Sequence, residues 1–242
     1  MGPWMFLLAI SINSCVINRK SRGSAASQSS TLDLNVIVKT PEFFGLRHGI
    51  PLRYNPKDQR INMTNQISPP ATDEYAHFYA DYVQRATQRE NVQKALAQQI
   101  DELHAELDVL TDSQACFKPG PKEWSIKEVM GHLNDVERVF SYRLLRVSRN
   151  DPTPLPGFEQ EDFVRAAGFD RYSLHDLVSE FEFLRKANTI AIEHITDEAM
   201  DRRGTASGYP VSTRALIYML VGHVDHHMAS LHEKYLPFAV TV

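Results

Sequence analysis

The stretch "VGHVDHHMASLHEKYL", Val221 to Leu236, carries four histidines: His223, His226, His227 and His232. Its apolar residues and those just before it, Leu216, Ile217, Leu220, Val221, Val224, Met228 and Leu231, recur at steps of three and four, the period of an amphipathic helix. Residues four apart lie one turn above each other, about 6 Å along the axis. His223 and His227 have that relation and fall on the line through Leu216, Leu220 and Leu231. Both imidazoles are therefore expected on the core side, able to converge on one cation. His226, three from His223, could replace His227, but its phase turns it toward the edge. His232, five from His227, falls off this face. Two neutral imidazoles without partners are costly in an apolar interior, and a metal ion would satisfy both.

Working outward, the same period recurs three more times. Helical patterning begins near Thr72. "RENVQKALAQQIDELHAELDVL" places Val92, Ala95, Leu96, Ile100, Leu103, Leu107 and Leu110 on one stripe, ending before Pro119, Gly120 and Pro121. A second helix opens at Ser125, with Glu128 three residues on as a capping box and Trp124 just outside as a packing staple. It runs to about Val147, and a short helix around Glu161–Ala167 follows. A third opens at Ser173 with Asp176 in the same relation, along Leu174, Leu177, Val178, Phe181, Leu184, Ala187 and Ala191. "RRGTASGYPV" reads as a loop, after which Ser212 or Thr213 caps the helix of the histidines, which stops at Pro237. Four amphipathic helices with no convincing strand between them predict an all-α fold, a four-helix bundle.

Composition narrows the function. The chain has 242 residues, 43% hydrophobic and 23% charged, with a formal net charge of −4. That charge, without a basic stripe, argues against nucleic acid and anionic membrane as partners. Two cysteines, Cys15 and Cys116, offer neither a disulfide framework nor a thiolate metal site; Cys116 is expected as a small, at least half-buried side chain. Residues 1–62 differ from the rest. "WMFLLAISINSCVI" is too short to span a bilayer comfortably and its positive charges follow it rather than precede it. The Ser-rich "SRGSAASQSSTLDLN" has a linker's composition. Residues 1–62 are thus expected as a disordered extension or a mis-assigned start ahead of Met63, with a cleaved or anchoring segment as the alternative. Residues 63–242 are expected to form the bundle, with the cytoplasm as the expected compartment.

A third ligand is available on the second helix. Ile126, Val129, Met130, Leu133, Val136, Val139 and Phe140 mark its buried stripe, with His132 and Asp135 at the border, one turn apart. His132, His223 and His227 would make a tris-imidazole site with one position open. Asp135 is the candidate catalytic residue, as a general base or an orienter of His132; the other reading makes it a salt-bridge partner of Arg138. Glu137 and Arg138 are assigned to the bundle surface or to ion pairs between helices. Trp124 is assigned to packing rather than to substrate contact. His77, His104, His175 and His194 have no partner at ligand spacing and are placed on the surface.

"KEWSIKEVMGHLNDVERVFSYRLL" together with "GHVDHHMASLHEKYL" resembles the DinB-like (DinB/YfiT-like) superfamily: a Trp-Ser helix start, Gly-His-Leu on the second helix and a terminal Gly-His-x-x-His-His. "PLPGFEQEDFVRAAGFD" resembles the segment that links the middle helices in many members. The resemblance spans roughly Thr72 to Leu236. It implies an up-down-down-up four-helix bundle holding a divalent metal, zinc or nickel, on His132, His223 and His227, with His226 matching a position that is not a ligand. It also implies one of two activities, a metal-dependent hydrolase or a thiol S-transferase, the latter using a low-molecular-weight thiol. Three neutral nitrogen ligands suit either, because the cation keeps its full charge. The substrate would be a small molecule, and a homodimer is left open. The alternative is a non-catalytic stress-response binding module with a structural metal.

Overall fold

The computed structural model describes residues 66–239; the expectations for residues 1–62 and for the boundary at Met63 lie outside the described residues. In chain order the elements are α1 (Ala80–Thr87), α2 (Val92–Leu107), α3 (Ile126–Ser148), α4 (Gln160–Ala167), α5 (Leu174–Glu193), α6 (Asp197–Met200), β1 (Arg203–Ala206), β2 (Tyr209–Ser212), α7 (Thr213–Lys234) and α8 (Leu236–Ala239). The fold is mainly helical and its frame is the four-helix bundle of α2, α3, α5 and α7. Contacts between named residues give the directions. Gln99 and Glu106 of α2 reach Asp225 and His232 of α7, so these two helices run parallel. Asn134 and Glu137 of α3 reach Glu180 and Asn188 of α5, so this pair is parallel as well. Gln99 meets Arg185 while His104 meets Glu182, which makes α2 and α5 antiparallel. The order is up, down, down, up. α1 lies alongside α7, with Asp81 bonded to His226, and Arg89, just past the end of α1, bonded to Asp225.

Local chemistry sets the helix starts. Ser125 accepts from the Glu128 amide at 3.0 Å while Glu128 accepts from the Ser125 amide at 2.8 Å, closing the expected capping box. Ser173 caps α5 by accepting from Asp176 N, and Ser212 caps α7 by accepting from Ala215 N, both at 3.0 Å. Asn91 caps α2 by accepting from the Gln93 and Lys94 amides.

Several expectations are corrected. α2 ends at Leu107 and not near Pro119, and Val109 is exposed. "RRGTASGYPV" is an antiparallel hairpin, pairing Arg203 with Ser212 and Ala206 with Tyr209. Its two-residue turn puts Ser207 and Gly208 at φ of +54° and +81°, the mirror-image turn whose twist suits a hairpin. Cys116 is exposed, because Ala115 takes the buried place in a single 3-10 turn. On α5 the inward face passes through Arg185 and Ile192, while Ala187 and Ala191 face solvent.

Arg185 belongs to a polar layer that divides the apolar core in two. One cluster gathers around Leu96, Phe140 and Leu216–Val221; the other gathers around Leu103, Met130, Leu133, Phe181 and Leu231. Between them the fully buried Arg185 pairs with Glu137 (Nε to Oε1 2.9 Å, Nη2 to Oε2 2.8 Å) and donates to Gln99 Oε1 and the Leu220 carbonyl. Gln99 donates in turn to the Val221 carbonyl and to Asp225, each at 2.8 Å. Glu137 also accepts from Asn188. Such a layer earns little net stability but ties four helices in one register, because every group left unpaired would be costly. The histidines of α7 begin at this level.

Candidate metal centre

The backbone approaches the site through two glycines. Each precedes a candidate histidine: Gly131 before His132 and Gly222 before His223. A Cβ on Gly131 would sit 2.2 Å from the Phe169 ring, and one on Gly222 would sit 1.8 Å from the Tyr82 carbonyl oxygen. The missing side chains let Phe169 close over α3 and let α1 cross α7 directly beside the next residue's imidazole. The Gly-His pairs in the sequence are thus packing signals as well as ligand signals.

His132, His223 and His227 are brought together. Each offers a ring nitrogen within 4.8 Å of those of the other two, and their ring centroids are 4.6–5.0 Å apart. Nε2 of His132 and Nε2 of His223 are 3.1 Å apart, a contact one proton can bridge. His132 and His223 are buried and His227 is half-buried. Burial drives all three toward the neutral form: His132 is pushed down to about 4, and His223 and His227 fall well below the usual imidazole range, with the neighbouring histidines adding to the effect. Neutral rings keep a nitrogen lone pair free, which is the state a metal ligand requires. The donor set fits a divalent cation.

His226 faces outward, as its helical phase predicted. Its Nδ1 meets Asp81 at 3.0 Å. His232 pairs with Glu106, and His104 lies between Asp108 and Glu182. Asp135 is half-buried, which raises its carboxyl above the usual range; Arg138 opposes the shift and Glu180 reinforces it. Among the described residues no hydrogen bond joins Asp135 to His132. Glu137 and Arg138 both make ion pairs with α5, Glu137 in the core and Arg138 with Glu180.

Two side chains that the sequence left out of the site flank it. Trp124, assigned to packing, does pack on the cluster around Leu103, Met130 and Phe181, but its ring also lies 4.8 Å from that of His132 and its Nε1 donates to Glu161 at 3.2 Å. Its place just before the Ser125 cap, eight residues ahead of His132 and so about two turns before it, was the available signal. Tyr82 stacks edge-on against His223 and His226, each at 5.3 Å, and burial pushes its phenol up to about 12. It therefore stays a neutral hydroxyl at physiological pH. Only the crossing of α1 over Gly222 places it there, and nothing in the sequence around Tyr82 itself announces that crossing.

A four-helix bundle with three converging imidazoles on two antiparallel helices defines the class as a helical protein able to hold a metal. The chain belongs to the DinB superfamily, whose sequence model matches residues 63–231. Among solved structures it is similar to YfiT from Bacillus subtilis, described as "a probable metal-dependent hydrolase with an unusual four-helix bundle topology". The TM-score is 0.55 at 17% identity, covering 59% of this chain and 82% of that one, so the likeness is one of fold. The uncharacterized protein YuaE of Bacillus subtilis (strain 168) is 25% identical over 134 residues, 50% of this chain and 81% of YuaE. Among the described residues no helix is long and apolar enough to cross a membrane.

Proposed function

We propose that the protein is a metal-dependent hydrolase of a small molecule, working in the cytoplasm with zinc or nickel held by His132, His223 and His227. The observation that carries this reading is the convergence of three buried or half-buried, neutral imidazoles whose ring nitrogens lie within 4.8 Å of one another. When bound, a divalent cation supplies Lewis acidity, which polarises a substrate carbonyl or makes water acidic near neutral pH. The chain supplies the rest. The three rings fix the position of the reacting centre, and Trp124 and Tyr82 wall it with low-dielectric surface that strengthens electrostatic effects. Asp135, with its raised affinity for a proton, is the proposed general base.

The test is metal analysis of protein purified without a histidine tag, followed by parallel panels of esters, amides and thiol-conjugation substrates. Hydrolysis that is abolished by chelator, restored by metal and reduced at least about tenfold in Asp135→Asn supports the proposal. Turnover seen only with an added low-molecular-weight thiol assigns the site to S-transfer. A full metal complement with no turnover on any panel makes the metal structural.

A further inference from the structure

α3 also carries a buried arginine, Arg143, eleven residues beyond His132 and so about 16 Å along the helix. Arg143 is only 2% exposed. Its Nη2 donates to the Pro156 carbonyl at 2.8 Å and to Ser207 Oγ at 3.0 Å, and its Cζ lies 5.9 Å from the centre of the Phe140 ring. All of these partners are neutral. Among the described residues no carboxylate pairs with it, and neither Nε nor Nη1 makes a hydrogen bond. Arg185, also buried, shows the contrast, with Glu137 held by two hydrogen bonds. An arginine keeps its charge wherever it is buried, and a desolvated charge facing only neutral acceptors is costly.

Arg143 also lines a cavity of about 330 Å³, together with Val139, Tyr142, Leu155, Phe158 and Phe163. Its floor is α3 and its roof is the Leu155–Phe158 loop, which is pinned to the hairpin by the bonds from Leu155 N to Thr205 O and from Ser207 N to Leu155 O. Phe158 and Phe163 stack with centroids 5.1 Å apart. The other cation on the wall, Arg138, is engaged by Glu180. Among the described residues no acidic one lines this cavity; Glu159 lines the neighbouring one, which shares the same loop. In a chain of net charge −4, a preformed apolar cavity with an uncompensated positive charge is a specific feature.

We propose that this cavity is an anion-recognition site for a small molecule carrying a carboxylate or phosphate on an apolar or aromatic body. The anion meets the free N–H groups of Arg143, in charge-assisted hydrogen bonds, and the body lies against Phe158, Phe163 and Tyr142. The site uses none of the imidazoles, so the proposal does not rest on the metal reading.

The experiment is calorimetric titration of the full-length protein with benzoate and with its neutral analogue benzyl alcohol. Phenyl phosphate and inorganic phosphate are compared in the same way, with chelator present throughout so that anions on a metal do not count. Benzoate is expected to bind about tenfold or more tightly than benzyl alcohol, and phenyl phosphate more tightly than inorganic phosphate. Arg143→Gln should erase the charge preference, and Arg143→Lys should retain part of it. Should Arg143→Gln fail to fold, Phe163→Ala decides: this wall residue is already partly exposed, and its loss should weaken benzoate several-fold. Equal binding of benzoate and benzyl alcohol by the wild type, a charge preference that survives Arg143→Gln, or benzoate affinity unchanged in Phe163→Ala would each overturn the proposal.

Discussion

Replacing Gly222 with alanine adds one methyl group at the tightest point of the fold. That carbon would lie 1.8 Å from the Tyr82 carbonyl oxygen, 2.4 Å from its carbonyl carbon and 2.7 Å from its Cα. All three obstacles are backbone, so no side-chain rotation relieves them, and α1 must retreat by about 1.5 Å to regain ordinary contact. Overpacking costs about 1–3 kcal/mol, and a backbone obstacle places this case at the upper end. Alanine recovers about 1 kcal/mol of helix propensity, which leaves a net loss of about 2 kcal/mol. For a domain of this size that loss corresponds to a fall in Tm of roughly 4–8 °C. The retreat also carries Tyr82 away from His223, whose rings are 5.3 Å apart, so metal affinity should fall alongside stability. Thermal and urea unfolding measure the first effect, and metal titration measures the second. Gly120→Ala is the control, because its Cβ would meet only Glu123 Cγ, at an ordinary 3.5 Å. A Gly222→Ala protein as stable as the wild type, or more so, would refute the close crossing.

The core ion pair predicts non-additivity: Arg185→Met alone should cost about 3–5 kcal/mol by urea unfolding, whereas Arg185→Met with Glu137→Leu should cost much less. A double variant no more stable than the single would show that the pair is not coupled. In chelated protein, His132 falls from 6.5 to about 4 on folding. Above pH 6.5 both states are neutral there; between 6.5 and 4 the unfolded chain takes a proton that the fold refuses. Stability should therefore drop as the pH falls through that window, by about 3 kcal/mol at its lower end for this ring, with His223 and His227 acting in the same sense. Urea midpoints that stay flat from pH 7 to 4 would contradict the burial of neutral imidazoles.

The parts of the fold that the sequence showed are those written in a local period or a local motif. His223 and His227 share a face because they are four apart on a helix, and Ser125 with Glu128 forms a cap because both partners lie within one turn. His132 could be assigned to the core border from its neighbours Val129, Leu133 and Val136, although no local rule brings it to α7. What stayed hidden depends on distant partners. A stripe of apolar residues on α5 omits Arg185, since only Glu137 on another helix makes its burial tolerable. The hairpin has four-residue strands, one of which contains Pro210, too short and too irregular to show alternation. Tyr82 and Arg143 likewise take their roles from the crossing at Gly222 and from the Leu155–Phe158 loop.

His132, His223 and His227, and not His226, are the ligands proposed for a divalent metal. This assignment is tested most directly by measuring metal per chain, by elemental mass spectrometry, in tag-free wild type and in three single alanine variants at His132, His227 and His226. His226 is bonded to Asp81 on the outer face, so His226→Ala should keep most of the wild-type complement, while His132→Ala and His227→Ala should lose it. A full complement in His132→Ala, or equal losses in His226→Ala and His227→Ala, would contradict the account.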